Sequence, residues 1–249
     1  MIRKNKGELE WLEFELLADI PDLVHGIFLR HGGVSQGPYY SLNIGGGTGD
    51  DSKKIAENRR RIFEALNIKQ WVEGKQVHGN GVAFVEDSHQ RVGECDALIT
   101  IKKGIGLMIK HADCQAAIIY DPIHRAIANV HSGWRGNVKN IYGTVVQKMR
   151  SRFRSNPKNL LVGISPSLGP TQAEFINYRL ELPEEFWEFQ VSPYHFDLWA
   201  IARFQLEESG ILPHHIEIAE ICTYTQERDY FSYRRNKTSG RNATCVMLS

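Results

Sequence analysis

The sequence predicts an α+β fold: a single domain spanning residues 1–249, with a mixed or antiparallel β-sheet core flanked by helices. Three observations predict it. Short apolar runs bounded by glycine or charge crowd the middle of the chain, which favours such a sheet over a regular succession of βαβ units. Amphipathic segments of helical period lie before and after them. No linker, internal repeat or low-complexity stretch divides the 249 residues, and their 42% hydrophobic content suffices for one sizeable core.

In chain order, residues 23–29 (L-V-H-G-I-F-L) read as a strand running into a long loop over 30–51. Gly45, Gly46, Gly47 and Gly49 let that loop's backbone approach a ligand closely, with Arg30, Ser41 and Asn43 at hand. Arg30 and Asn43 are therefore candidate substrate contacts. Asp50-Asp51 is an N-cap signal for a helix in which Ile55, Ile62, Phe63 and Leu66 form the buried stripe. Of Arg59, Arg60 and Arg61 on that helix, Arg59 is the candidate for an inward anion clamp. Strands follow at 71–78, 81–86, 96–100 and 105–110, and another at 160–164. A helix from about Val138 to Phe153 starts just after H-S-G-W-R-G, so Arg135 and backbone N–H groups near its start are suited to an anion. Later, a strand is expected at 174–178, a helix at 197–209 closed by Gly210, and a strand at 216–223 followed by the aromatic and basic loop 230–235.

The chemistry concentrates between His111 and Gly136. Residues 116–120 and 126–130 are apolar runs separated by Asp-Pro, so they read as adjacent strands. Antiparallel pairing brings Cys114, just before the first, and His131, just after the second, to one end of the sheet. There a thiolate and an imidazole either ligate a metal or act as nucleophile and base. His78, in the Gly-flanked turn K-Q-V-H-G-N-G, is a third candidate. The separations of 36 and 17 residues fit no compact zinc motif, so spacing alone leaves these alternatives open.

Charge and cysteine usage bound the partners. With 30 basic and 29 acidic side chains the net charge is +1, which supplies no global attraction to nucleic acid or anionic membrane; any anion site is local. No stretch approaches the ~20 apolar residues of a membrane span. Glutamates interrupt the N-terminal segment where a secretion signal needs an apolar core, and the four cysteines are widely spaced. A cytoplasmic protein with reduced thiols is expected, as a monomer or homodimer.

The motifs R-H-G-G-V-S-Q-G-P-Y-Y-S-L-N, G-D-D with E-N-R-R, K-Q-V-H-G, C-D-A-L-I-T, A-D-C, H-S-G-W-R-G, and F-S-Y-R-R with S-G-R run in order from Arg30 to Arg241. Together they resemble the signature series of the laccase-domain family, first called polyphenol oxidases and now regarded as purine nucleoside phosphorylases with adenosine deaminase activity. The resemblance implies one α+β domain and a metal centre of His78, Cys114 and His131. It also implies purine nucleosides (adenosine, inosine, methylthioadenosine) and phosphate as substrates. His111, before A-D-C where relatives carry a small residue, is a competing ligand.

Two imidazoles and a thiolate leave the fourth tetrahedral position of Zn²⁺ open, as in catalytic sites, and Cu²⁺ is the other ion to consider. Arg59 or Arg135 is the expected phosphate holder, and Asp113 or Asp96 polarises the base or orients a histidine. Two rivals stand beside this reading. One is a cysteine hydrolase with Cys114 as nucleophile, His131 as base and Asp113 or Asn129 as orienter. The other is a copper-dependent polyphenol oxidase, disfavoured because a multicopper centre needs paired histidine clusters and the ten histidines here are mostly scattered.

Overall fold

A computed structural model of residues 1–249 places twelve of fourteen strands in two six-stranded sheets. The first runs, edge to edge, β1 (Ile2–Lys6), β2 (Leu9–Glu13), β3 (Leu23–Phe28), β14 (Asn242–Leu248), β7 (Ile105–His111) and β4 (Gln70–Val72). The second runs β13 (Ile216–Ile218), β10 (Leu161–Ile164), β8 (Gln115–Asp121), β9 (Ala126–Ser132), β6 (Ala97–Thr100) and β5 (Val82–Phe84). Pairing is antiparallel except where β4 joins β7, β5 joins β6 and β13 joins β10, so both sheets are mixed. A small hairpin, β11 (Gln190–Ser192) with β12 (His195–Phe196), stands apart, and a one-turn helix, α1 (Glu15–Ala18), links β2 to β3.

Strand periodicity of two explains the layering, because alternate side chains point to opposite faces. Leu107, Val246 and Leu248 of the first sheet share a core with Leu98, Ile118 and Ile127 of the second, so the sheets pack face to face. The intervening residues of the second sheet, among them Ile99, Ala117, Ile119, Ala128 and Val130, pack under α4 (Ile141–Phe153) and α6 (Leu198–Glu208). Those of the first, Met108, Ala243, Cys245 and Met247, pack under Ile62 and Phe63 of α2 (Ser52–Ala65). Asn129 of β9 ties the sheets together: its Nδ2 donates to the carbonyls of Leu107 and Thr244, each at 2.9 Å. It is a strut between sheets, not an orienter of His131.

The caps follow the sequence. Asp51 accepts from Lys53 N at the start of α2, Asp197 from Trp199 N and Ala200 N at the start of α6, and Gly210 takes a φ of +93° after it. Four expectations are corrected. The helix placed at 138–153 is two: α3 (Trp134–Val138), then Asn140 at φ +48° capping α4 through its side chain. Residues 174–178 form no strand; Phe175 is buried while Ile176 is 65% exposed, so the alternation belongs to a packed loop leading into the one-turn α5 (Tyr178–Glu181). The strand expected at 71–78 ends at Val72 and the one at 216–223 ends at Ile218.

Burial gives one stability prediction. His25 of β3 accepts a hydrogen bond from Phe14 N at 2.9 Å and stacks on the Phe14 ring, and burial pulls its imidazole down to about 4. In the unfolded chain it protonates near ~6.5. The unfolded state thus gains the proton first, and stability held above pH ~6.5 is lost as pH falls through about 4, by up to ~3 kcal/mol. Urea unfolding at pH 7 and pH 4 should show that loss, and His25→Gln, which keeps an acceptor for Phe14 N, should shrink it. An unchanged pH dependence in the variant would remove His25 as a cause.

Candidate metal centre and its pocket

β8 and β9 pair with Ala116 opposite His131, so the residue before β8, Cys114, and His131 meet at one end of the second sheet. His78 arrives from the turn between β4 and β5, with φ at +58°. That conformation is held by Asp96, whose buried carboxylate accepts from Val77 N at 3.2 Å, His78 N at 3.0 Å and Gly79 N at 2.7 Å. The same carboxylate lies 2.8 Å from His131 Nδ1, which fixes that ring's tautomer and turns Nε2 toward the site. One aspartate therefore positions two of the three side chains.

The donor atoms of His78, Cys114 and His131 all lie within 4.8 Å of one another. Ligands at 2.0–2.3 Å from one ion stand up to ~4 Å apart, so closure by less than about an ångström makes a coordination set. Burial is graded, from His131 inside through half-buried Cys114 to exposed His78, leaving an open side. Burial pushes the Cys114 thiol up, but the charge of His131 and hydrogen bonds from His131 and His78 outweigh it and hold the thiol below its ordinary range. Burial likewise pulls His131 down, and the thiolate and Asp96 more than reverse this. The site is built for a thiolate, the form a metal binds.

Gly133 completes the cradle. A Cβ there would sit 2.9 Å from Cys114 Sγ and 3.0 Å from His78 Cδ2. Gly133→Ala must therefore push two ligands aside, and a loss of about 10- to 100-fold in metal affinity is expected from a chelator competition titration. Unchanged affinity would mean that the three side chains do not share an ion.

The open side faces a cavity of about 880 Å³ whose walls include Gly45–Thr48, Glu73, Lys110, Tyr233 and Arg241. Such a volume accommodates a ligand of nucleoside size. Arg135 lines it, its guanidinium 4.3 Å above the Trp134 ring. Arg59 lines it too, but donates to both Glu73 carboxylate oxygens at 2.6 and 3.3 Å and to the Ile44 carbonyl, with Lys110 on the same Glu73.

None of the other sequence candidates joins the ligand group, and of them only His111 borders the cavity. Arg30 borders a separate small recess, bound to the carbonyls of Tyr40 and Glu227 and lying over the Phe231 ring. Asn43 is fully buried and shapes the glycine loop, accepting from Gly45 N and Arg241 N and donating to Asp50 and Thr48. Asp113, at φ +84°, accepts from Thr223 Oγ1 and Arg234 N and so pins the turn before Cys114 without lining the cavity. His111 is buried, bonded to Thr244 Oγ1 at 2.9 Å, outside the ligand group. Burial and the charge of His131 pull it down to about 3, so it is neutral. Sequence reasoning gave no role to Gly133, Glu73, Tyr233 or Arg241, although the H-S-G-W-R-G and S-G-R motifs contain two of them.

Residues 24–249 match the family model described as multi-copper polyphenol oxidoreductase laccase. A protein of Bacteroides thetaiotaomicron named purine nucleoside phosphorylase is 30% identical over 258 residues, covering 95% of this chain and 96% of its own length. Purine nucleoside phosphorylase YlmD of Geobacillus stearothermophilus is 34% identical over 240 residues, covering 88% and 87%. The crystal structure of YlmD from that organism superposes with a TM-score of 0.87 over 99% of this chain and 98% of its own, at 30% identity. With most of its length matched by the family model and the α+β fold in common, this chain belongs to the laccase-domain family, among relatives named purine nucleoside phosphorylases.

Proposed function

We propose that this protein is a zinc-dependent purine nucleoside phosphorylase acting on adenosine, inosine and methylthioadenosine, with adenosine deaminase activity in the same cavity. The observation that carries the reading is the convergence of His78, Cys114 and His131 at the mouth of a cation-rich cavity. Relatives named for that activity support it. A thiolate with two imidazoles suits Zn²⁺ better than Mg²⁺, and an ion held by His78, Cys114 and His131 would supply a Lewis acid.

The chain's own groups divide the remaining work. In phosphorolysis a phosphate oxygen bonds to ribose C1′ as the glycosidic C–N bond breaks and its electron pair leaves with the purine. The phosphate must be held at the ribose while positive charge builds on the sugar. Arg135 lines the cavity with no carboxylate partner and is our candidate for that role, while Asp96 positions His131 and Asp113 positions Cys114 through the turn. No helix is long and apolar enough to cross a membrane, and we assign the protein to the cytoplasm as a monomer or homodimer that binds no nucleic acid.

Release of free base from the three nucleosides should require phosphate and match phosphate consumed one for one. No turnover on any of them, or base release without phosphate, would overturn the reading. One observation favours a second reading: Cys114, His131 and Asp96 connect in the order of a nucleophile, base and orienter, with Asp96 in place of the expected Asp113 or Asn129. A cysteine hydrolase predicts an acyl adduct on Cys114 in intact-mass spectra of metal-free protein incubated with activated esters. The phosphorylase reading predicts turnover of nucleosides without it.

A further inference from the structure

Five lysine and arginine side chains line the cavity, against one carboxylate, Glu73. Arg59 and Lys110 share Glu73, and Lys75 reaches Glu94 at 2.8 Å. Arg135 and Arg241 have no carboxylate partner. Arg241 donates only from Nη1, to the carbonyls of Ser239 at 2.8 Å and Gly240 at 2.9 Å, which leaves Nε and Nη2 without protein acceptors. Its stem lies so close to the glycine loop that a Cβ on Gly45 would stand 2.6 Å from Arg241 Cγ. Gly45 is thus a glycine because Arg241 passes over it. Arg241 lines the same cavity as Cys114 and His131.

Arg241 is half-buried with a free edge and no counter-ion, a geometry suited to an anion that completes its fork of donors. We propose that Arg241, together with Arg135, holds inorganic phosphate in this cavity, and that Arg59 belongs to the ion-paired wall. The assignment deepens the phosphorylase reading and rests on it for what the phosphate does, not for where it binds. A nucleotide's 5′-phosphate offers the same chemistry, so the test has two arms.

Metal-loaded protein is titrated calorimetrically with inorganic phosphate and, separately, with adenosine 5′-monophosphate. Arg241→Gln should weaken inorganic phosphate about 10- to 100-fold, Arg241→Lys should recover part of the loss, and Arg150→Gln on the exposed face of α4 should change nothing. In steady-state assays the KM for phosphate should rise by the same factor while that for nucleoside stays within about twofold. If Arg241→Gln weakens only the nucleotide, or neither ligand, the proposal is overturned. Wild-type KM for phosphate in a turning-over Arg241→Gln enzyme would sink this assignment and leave the phosphorylase reading intact. Loss of phosphate binding in a protein that turns over no nucleoside would do the reverse.

Discussion

Removing the metal by chelation is expected to abolish ammonia release from adenosine, while phosphorolysis should fall about 10- to 100-fold and persist. The split follows from the size of the substrate. Deamination takes place at purine C6 and phosphorolysis at ribose C1′, carbons several ångströms apart in one nucleoside. A single ion held by His78, Cys114 and His131 cannot adjoin both in one pose. On the proposed reading, histidine and thiolate donors would hold zinc toward the purine and the unpaired arginines would hold phosphate toward the ribose. Ammonia and free base are measured on the same chelated sample, with circular dichroism showing that it remains folded. Metal-free, folded protein that deaminates adenosine at the rate of the loaded enzyme would remove the metal from that reaction.

Asp96→Ala is expected to be the most damaging single change near the site. The side chain is fully buried and accepts from three backbone N–H groups as well as facing His131 Nδ1. Deleting it strands those donors and takes from buried His131 one of its two anionic partners, a loss of about 3–5 kcal/mol in unfolding free energy. Asp96→Asn keeps one acceptor oxygen, so the fold survives better, but it presents His131 with a neutral partner. Metal affinity in Asp96→Asn should fall about 10- to 100-fold even where the protein is folded. Wild-type affinity in that variant would show that His131 needs no orienting carboxylate, and the role given to Asp96 would be wrong.

What could be read from the sequence was what short-range pattern determines. The two apolar runs around Asp121-Pro122 announced the β8–β9 pair, and their register alone carries Cys114 to His131. Gly-flanked His78 announced a turn but not its destination, which depends on a carboxylate eighteen residues on that closes the turn. The central strand β14 went unread because its segment, N-A-T-C-V-M-L, follows an aromatic and basic loop at the end of the motif series. In β1, four charged or amide residues after Ile2 hide an edge strand, as solvent-facing edges permit. The fates of the arginines were the least legible. Arg59 is claimed by Glu73, fourteen residues away, and Arg30 by the carbonyls of Tyr40 and Glu227. Arg241 becomes a candidate anion ligand only because the glycine loop, nearly two hundred residues earlier, folds beneath it.

The most direct test of the phosphorylase assignment is a ³¹P NMR spectrum of the metal-loaded protein incubated with inosine and inorganic phosphate. A ribose 1-phosphate resonance is expected to grow and to match, mole for mole, the phosphate lost and the hypoxanthine released. A phosphate signal that stays constant, with inosine either intact or split to free ribose, would contradict it.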